Sequence, residues 1–261
     1  MPQDEFLHYA RRNEGIHFIF VNDGSTDATG RIIEALCRQR PRQFFAIELP
    51  HNLGKAGAVQ AGFRKAFAGE YDAIGFWDAD LATPLAEINN FCGLLTESQR
   101  QMVLGARVRL LGRRIERQAV RHYLGRVFAT LVSLVLGLTI YDTQCGAKLF
   151  ANNQRLRQVF AKPFTVSWIF DVEILARYML LAKHQGGGVL ADIACEHPLG
   201  EWLDVPGSKL KARDFMVAVY EMLKIWSCLR GLGSGRYYAS LMESTSVVEN
   251  RHPLKNQSPG L

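Results

Sequence analysis

Residues 73–80 read AIGFWDAD: an apolar run, Ala73 to Trp77, stopped by two carboxylates set two apart. A run of this length with β-branched and aromatic members predicts a strand, and the polar stop places its carboxyl end at Trp77. In extended backbone Asp78 and Asp80 point to the same side, so they can jointly hold one hard cation. Mg²⁺ or Mn²⁺ takes one or two carboxylates and completes its shell with water and phosphate oxygens, so the pair predicts a ligand carrying a diphosphate.

Working outward, the same pattern recurs. HFIFVN (His17 to Asn22) predicts a strand, halted by Asp23-Gly24-Ser25 and followed by helical spacing at Ile32, Ile33 and Leu36. FFAIEL (Phe44 to Leu49) predicts another, followed by a glycine-containing loop from His51 to Gly57 and a helix with Val59, Phe63 and Phe67 on one face. Met102 to Ala106 is the fourth strand, the turn at Gly186–Gly188 leads into an expected strand over Val189 to Glu196, and a late helix spans Phe215 to Trp226. Strands alternating with helices predict an α/β fold with a largely parallel sheet. Ligands of such sheets bind beyond the carboxyl ends of the strands, which brings Asp23, Asn52 to Lys55, Asp78 to Asp80 and Arg107 to one edge.

The chain has 261 residues, 48% of them apolar, enough for one substantial core. Its 31 Lys and Arg outnumber 25 Asp and Glu, and the arginines cluster between Arg107 and Arg126. Such a cluster suits phosphates or anionic lipid. Nucleic acid is disfavoured, because the arginines alternate with long aliphatics and few aromatics. Arg114, Arg117 and Arg121 are spaced to share a helix face beside an apolar stripe of Val120, Leu124, Val127 and Leu131. That predicts either a basic amphipathic helix within 108–140 lying in a membrane interface, or a core helix. The five cysteines are odd in number and form no CxxC pair, which fits a reducing compartment. The longest charge-free apolar run, Val127 to Ile140, is shorter than the about 20 residues of a spanning helix, and no signal peptide is expected. From residue 231 a polar, Gly/Ser-rich flexible tail is expected.

Single motifs leave alternatives open. Asp23 suits contact with a base or ribose, but Asp-Gly-Ser is equally a turn and helix start. Lys55 sits in a loop that can cradle phosphate at a helix N-terminus, without the spacing of an ATPase P-loop.

Taken in order, VNDGSTD (Val21 to Asp27), HNLGKAGAV (His51 to Val59), DADLATP (Asp78 to Pro84), GAR (Gly105 to Arg107) and DTQCGAKLF (Asp142 to Phe150) resemble the family-2 glycosyltransferases of the GT-A fold. WIFDVEIL (Trp168 to Leu175) and PGSKL (Pro206 to Leu210) extend the likeness toward the dolichyl- and polyprenyl-phosphate glucosyltransferases, over roughly residues 5 to 230. The resemblance implies that Asp23 and Asn52 to Lys55 bind the nucleotide-sugar, Asp78 its diphosphate or sugar region, and Asp80 the metal. Arg107, Arg121 and Lys148 would face an acceptor phosphate, and Asp171 would lie near the sugar or support the acceptor loop. It further implies an inverting, in-line transfer of a hexose from a UDP-sugar, with UDP-glucose first in order, to a polyprenyl or dolichyl phosphate. The setting would be peripheral, on the cytoplasmic face of a membrane, and a homo-oligomer is compatible with it.

Ala82, where mannosyltransferases of this kind carry Gln, and Lys148, where bacterial relatives carry Arg, both point toward glucosyl-type transfer. The family's first strand is expected to be missing ahead of the helix at Glu5 to Arg12, leaving unpaired sheet edges and an open nucleotide site. The alternatives are therefore a non-catalytic nucleotide-sugar-binding protein, or a family-2 transferase with another sugar or acceptor.

Overall fold

The four apolar runs become the strands β1 (Phe18–Asn22), β2 (Phe44–Glu48), β3 (Ala73–Trp77) and β4 (Met102–Ala106). In this computed structural model the described residues are 1–97, 100–116, 119–186, 188–203, 212–229 and 232–251. Helices α1 (Gln3–Arg12), α2 (Thr29–Gln39), α3 (Gly54–Ala66) and α4 (Glu87–Glu97) alternate with these strands. Periodicity accounts for them: Ile33 and Leu36 are the buried positions of α2, and Ala56, Gln60, Phe63 and Ala66 those of α3.

The second half contains β5 (Arg114–Glu116), α5 (Ala119–Leu136), β6 (Ala147–Ala151), α6 (Gln154–Ala161), α7 (Phe170–Gln185), α8 (Leu190–Ile193), β7 (Ala194–Pro198), β8 (Glu201–Leu203), α9 (Ala212–Leu229) and α10 (Leu232–Arg251). The central sheet has the order β3-β6-β4-β7, while β1-β2 and β5-β8 form separate two-stranded sheets. β1 and β2 are parallel, as are β4 and β7, but β6 runs antiparallel to both its neighbours, so the central sheet is mixed where a largely parallel one is expected. The physical reason is the approach of the chain. The segment 141–146 crosses the carboxyl edge first, so β6 enters the sheet from that edge, with Ala147 opposite Trp77 and Lys148 opposite Phe76. Between β1 and β3 there is no strand pairing among the described residues; α3 packs on both strands, and a His17–Tyr71 hydrogen bond of 3.1 Å joins their starts.

The main core lies between this sheet and α3, α5, α6, α7 and α9, and at its centre Phe63 and Phe160 stack 3.8 Å apart. A second cluster joins α1, β1, β2 and α2 through edge-to-face contacts among Phe6, Phe18, Phe20 and Phe44.

Three expectations need correction. The strand expected over Val189 to Glu196 begins later, because Leu190 and Ile193 are both buried; three apart, they share a face only in a helical turn, which is α8. Arg114 is on β5, paired with Glu116 and Glu201, so it shares no helix face with Arg121; Arg117 lies outside the described residues. The tail expected from 231 is helical over Leu232–Arg251, because Tyr238, Leu241 and Met242 form a stripe that packs inward, with Leu241 fully buried. Residues 252–261 lie outside the described residues, as does the PGSKL segment.

Arg177 anchors this C-terminal half. Its fully buried guanidinium donates to Glu173, to the carbonyls of Val159, Lys162 and Pro163, and to the Tyr237 hydroxyl on α10. Arg177→Ala leaves Glu173 buried without its cation, and a loss of about 3–5 kcal/mol is expected in urea unfolding. The exposed Arg38–Glu34 pair serves as the contrast, since Arg38→Ala should change stability by less than about 1 kcal/mol.

Candidate active site

Beyond Trp77 the chain turns sharply. The Asp78 amide donates to the Gly146 carbonyl at 2.9 Å, the Leu81 amide donates back to the Asp78 carbonyl, and Leu81 adopts φ +55°, a left-handed value that costs a non-glycine residue energy. Asp80 is exposed, with one carboxylate oxygen accepting the Ala82 amide at 3.0 Å. Gly146 lets the Asp78 carboxylate sit here, because a Cβ at that position would lie 1.9 Å from it and force Asp78 to move. The antiparallel entry of β6 thus presses the DTQCG segment against the acidic turn.

Two lysines flank the ring of Phe76. Lys55, in the first turn of α3, pairs with Asp78 at 2.5 Å, both side chains being nearly half exposed. Burial alone would lower its pKa, but the carboxylates of Asp78 and Asp171 outweigh that and hold it above the ordinary lysine value. Lys148, 1% exposed, pairs with Asp171 at 2.5 Å and donates to the Cys145 carbonyl at 2.6 Å. Asp171 is in the first turn of α7, where a carboxylate is favoured by the helix dipole. The approach to that turn is gripped by two further carboxylates: Glu173 accepts the amides of Thr165 and Val166, and Glu221 on α9 accepts those of Ser167, Trp168 and Ile169.

Asp23 links two loops by accepting the Leu53 amide at 2.7 Å, and Asn52 caps its own loop by accepting the Gly54 amide at 3.0 Å. Gly24, at φ +68°, makes that approach possible, since a Cβ would lie 2.8 Å from the Asn52 nitrogen.

Arg107 follows β4 and is clasped by Asp142 through Nε at 2.6 Å and Nη2 at 2.8 Å. Burial would lower the guanidinium pKa, but Asp142 reverses the effect and raises it. Asp142 is held in turn by Glu196, which accepts the amides of Tyr141 and Asp142 at 2.7 Å each, while burial keeps Glu196 above the ordinary carboxylate range.

The structure therefore brings Lys55, Asp78, Lys148 and Asp171 into one cluster, with Asp80 exposed beside it and Arg107 adjoining through Asp142 and Cys145. Arg107 and Lys148 are each paired with a carboxylate, Asp142 and Asp171 respectively. Arg121 belongs to the start of α5, with its side chain outside the described residues. Among the described residues no group of three or more His, Cys, Asp or Glu could hold a metal alone. Two hard carboxylates on one turn suit Mg²⁺ or Mn²⁺ when a bound diphosphate completes the shell. Sequence reasoning did not nominate Glu196 or Glu221; each is a lone carboxylate remote in sequence from the loop it holds, and no local spacing marks it.

His197 is structural, pairing with Glu87 at 3.1 Å, and Glu87 also accepts the Gly200 amide at 2.7 Å. Burial would raise the Glu87 pKa, but these partners and Asn90 outweigh it and the value is lowered. A depressed carboxyl contributes stability that is fully present above its unfolded pKa, about 4.3, and is lost as pH falls through the folded value. Acid unfolding of Glu87→Gln should lack this part of the transition, giving a shallower fall in stability below about pH 4.3 than the unaltered chain.

The profile of glycosyl transferase family 2 matches residues 4–153. Relatives include dolichyl-phosphate beta-glucosyltransferases of Trichomonas vaginalis (29% identical, over 85% of this chain and 68% of the relative) and of Saccharomyces cerevisiae (31%, over 74% and 58%). The human dolichyl-phosphate beta-glucosyltransferase is 30% identical over 79% of this chain and 64% of its own length. This chain thus spans about three-fifths to two-thirds of these curated relatives. Among solved structures, glucosyl-3-phosphoglycerate synthase of Mycobacterium tuberculosis in complex with Mn²⁺ and UDP-glucose superposes with a TM-score of 0.51 at 17% identity, over 85% of this chain and 75% of that one. That likeness identifies the fold as GT-A.

Proposed function

The chain belongs to glycosyl transferase family 2, and on that premise we propose that it transfers a hexose, glucose first in order, from a UDP-sugar to a polyprenyl or dolichyl phosphate. The observation that carries this reading is the meeting of the acidic turn with Lys55 and the 142–148 segment at one sheet edge. The relatives named as dolichyl-phosphate glucosyltransferases support the acceptor class, and the fold relative solved with UDP-glucose and Mn²⁺ supports the donor.

In this reading Asp23 and the Asn52–Lys55 loop receive the nucleotide, while Asp78 and Asp80 hold Mg²⁺ or Mn²⁺. Bound there, the ion supplies charge stabilisation to the departing diphosphate. Lys55 adds a second positive charge to the same region, kept protonated by its carboxylate neighbours. Lys148 fixes Asp171 beside the sugar. An acceptor phosphate oxygen, already anionic near neutral pH, attacks the anomeric carbon in line with the leaving UDP; the C–O bond to UDP breaks, the configuration inverts, and no general base is needed. The transferase unit extends past the family match to α7, α9 and α10, which carry and brace Asp171.

UDP release measured with UDP-glucose, Mn²⁺ and a short-chain prenyl phosphate tests the proposal. Asp80→Ala should lower turnover by at least about a hundredfold, the order of several kcal/mol of charge stabilisation. Metal-dependent UDP-sugar binding without turnover on any lipid phosphate would instead identify a binding protein.

The membrane setting is supported by two adjoining helices. Tyr123, Val127 and Leu134 on α5 are exposed, as are Met216, Tyr220 and Leu223 on α9, the latter at helical spacing along one stripe. Among the described residues no helix is long and apolar enough to cross a membrane. The exposed stripes themselves carry the reading of a seat in the lipid interface, on the cytoplasmic face. The double change Tyr220→Glu and Leu223→Glu should reduce co-sedimentation with anionic vesicles severalfold and leave UDP-sugar binding intact.

A further inference from the structure

The short strand β8 touches the acidic turn from a distant part of the chain. Its Leu203 amide donates to the Ala82 carbonyl at 3.1 Å, and the Trp202 ring centre lies 5.3 Å from the Arg107 guanidinium. Ala82 in turn orients Asp80, since its amide donates to Oδ1 of that carboxylate at 3.0 Å. Ala82 is therefore bound on both sides, through its carbonyl to β8 and through its amide to Asp80. Trp202 and Ala82 are both buried and share one apolar cluster with Phe91, Cys145 and Leu199.

The turn needs such a tie. Leu81, between Asp80 and Ala82, has φ +55°, and a non-glycine residue keeps a left-handed backbone only where its surroundings hold it there. Two of the ties are local: the Leu81 amide to the Asp78 carbonyl at 3.0 Å, and the Trp77 indole N–H to the Thr83 carbonyl at 2.9 Å. Local bonds move with the turn and do not fix it against the rest of the protein. The bond from Leu203 does, because β8 is anchored independently: Glu87 accepts the Gly200 amide just before it, and Trp202 is paired with Ile115 of β5. Trp202 also reaches the other side of the site, since Arg107 is clasped by Asp142, and the 142–146 run meets Asp78 at Gly146.

We propose that Trp202 and the Leu203 amide are positioning groups that hold the Asp80 carboxylate in the orientation in which it meets a divalent cation. With Oδ1 engaged by the Ala82 amide, Oδ2 is the oxygen directed to the ion. A loosened turn would present that oxygen over a wider range of directions, and a cation such as Mg²⁺ or Mn²⁺ loses affinity when the groups that orient its ligands are removed. That Asp80 takes a cation rests on the transferase reading; the tie from β8 to the turn does not.

The test compares two pairs of variants of the whole chain. Leu203→Pro deletes the amide hydrogen that β8 gives to Ala82, on the edge that β5 does not use, while Leu203→Ala keeps it. Trp202→Leu removes the ring over Arg107, while Trp202→Phe keeps one. Thermal melts establish that each variant is folded. Hydrogen–deuterium exchange over residues 78–84, without ligand, should be about five- to tenfold faster in Leu203→Pro and Trp202→Leu, the effect of about one hydrogen bond, and unaltered in the two controls. In calorimetric titration with UDP, affinity in the presence of Mn²⁺ should weaken about ten- to hundredfold in the same two variants, with metal-free UDP affinity unaltered. Unaltered exchange in folded Leu203→Pro and Trp202→Leu overturns the proposal. Faster exchange with undiminished Mn²⁺-dependent affinity also overturns it, by making β8 a purely structural support, and Leu203→Ala matching Leu203→Pro overturns the role of the amide. Should Leu203→Pro not fold, Trp202→Leu against Trp202→Phe decides by the same two readings. An unaltered chain that binds UDP no better with Mn²⁺, while exchange responds as expected, would sink the cation reading of Asp80 and spare the tie from β8.

Discussion

Lys148 is almost wholly buried, and a buried ammonium must have its charge matched. Asp171 matches it at 2.5 Å, and that contact ties the strand β6 to the helix α7. Removing either partner would leave an uncompensated charge inside the protein, at a cost of about 3–5 kcal/mol. The surrounding structure keeps both ends in register: β6 by its pairing on both sides, and α7 by the two carboxylates, Glu173 and Glu221, that hold the backbone before its first turn.

The antiparallel direction of β6 has a consequence for chemistry. A strand that starts at the carboxyl edge delivers its preceding loop to that edge, so Asp142 to Gly146 lies against Asp78. The contact is close, as a Cβ on Gly146 would displace the Asp78 carboxylate. A loop that carries an Arg107 partner, a lysine partner and a glycine cradle thereby becomes part of a site first announced by two aspartates some sixty residues earlier in the chain.

Most cations near this edge are pre-paired. Lys55 has Asp78, Lys148 has Asp171 and Arg107 has Asp142, so their charges orient and stiffen the site before any ligand arrives. Lys55 and Asp78 are the more exposed of these pairs, and there exchange of a carboxylate partner for a phosphate costs least desolvation. The deeper pairs act as scaffold, tying β6 to α7 and the 142 loop to the end of β4.

The amino-acid sequence by itself determined the alternating strands and helices of the first half, because apolar periodicity is a local property: β1 to β4 and the helices between them lie where the spacing of Phe, Ile and Val requires. It also determined which loops gather at the carboxyl edge, since that follows from topology. Tertiary structure alone decided the direction of β6, the helical state of 190–193 and 232–251, and the partners of Arg107 and Lys148. Each of these depends on burial and charge matching between residues far apart in the chain, such as Tyr238 and Met242 against the main core or Asp171 against Lys148, and no local spacing records which distant carboxylate will meet which cation.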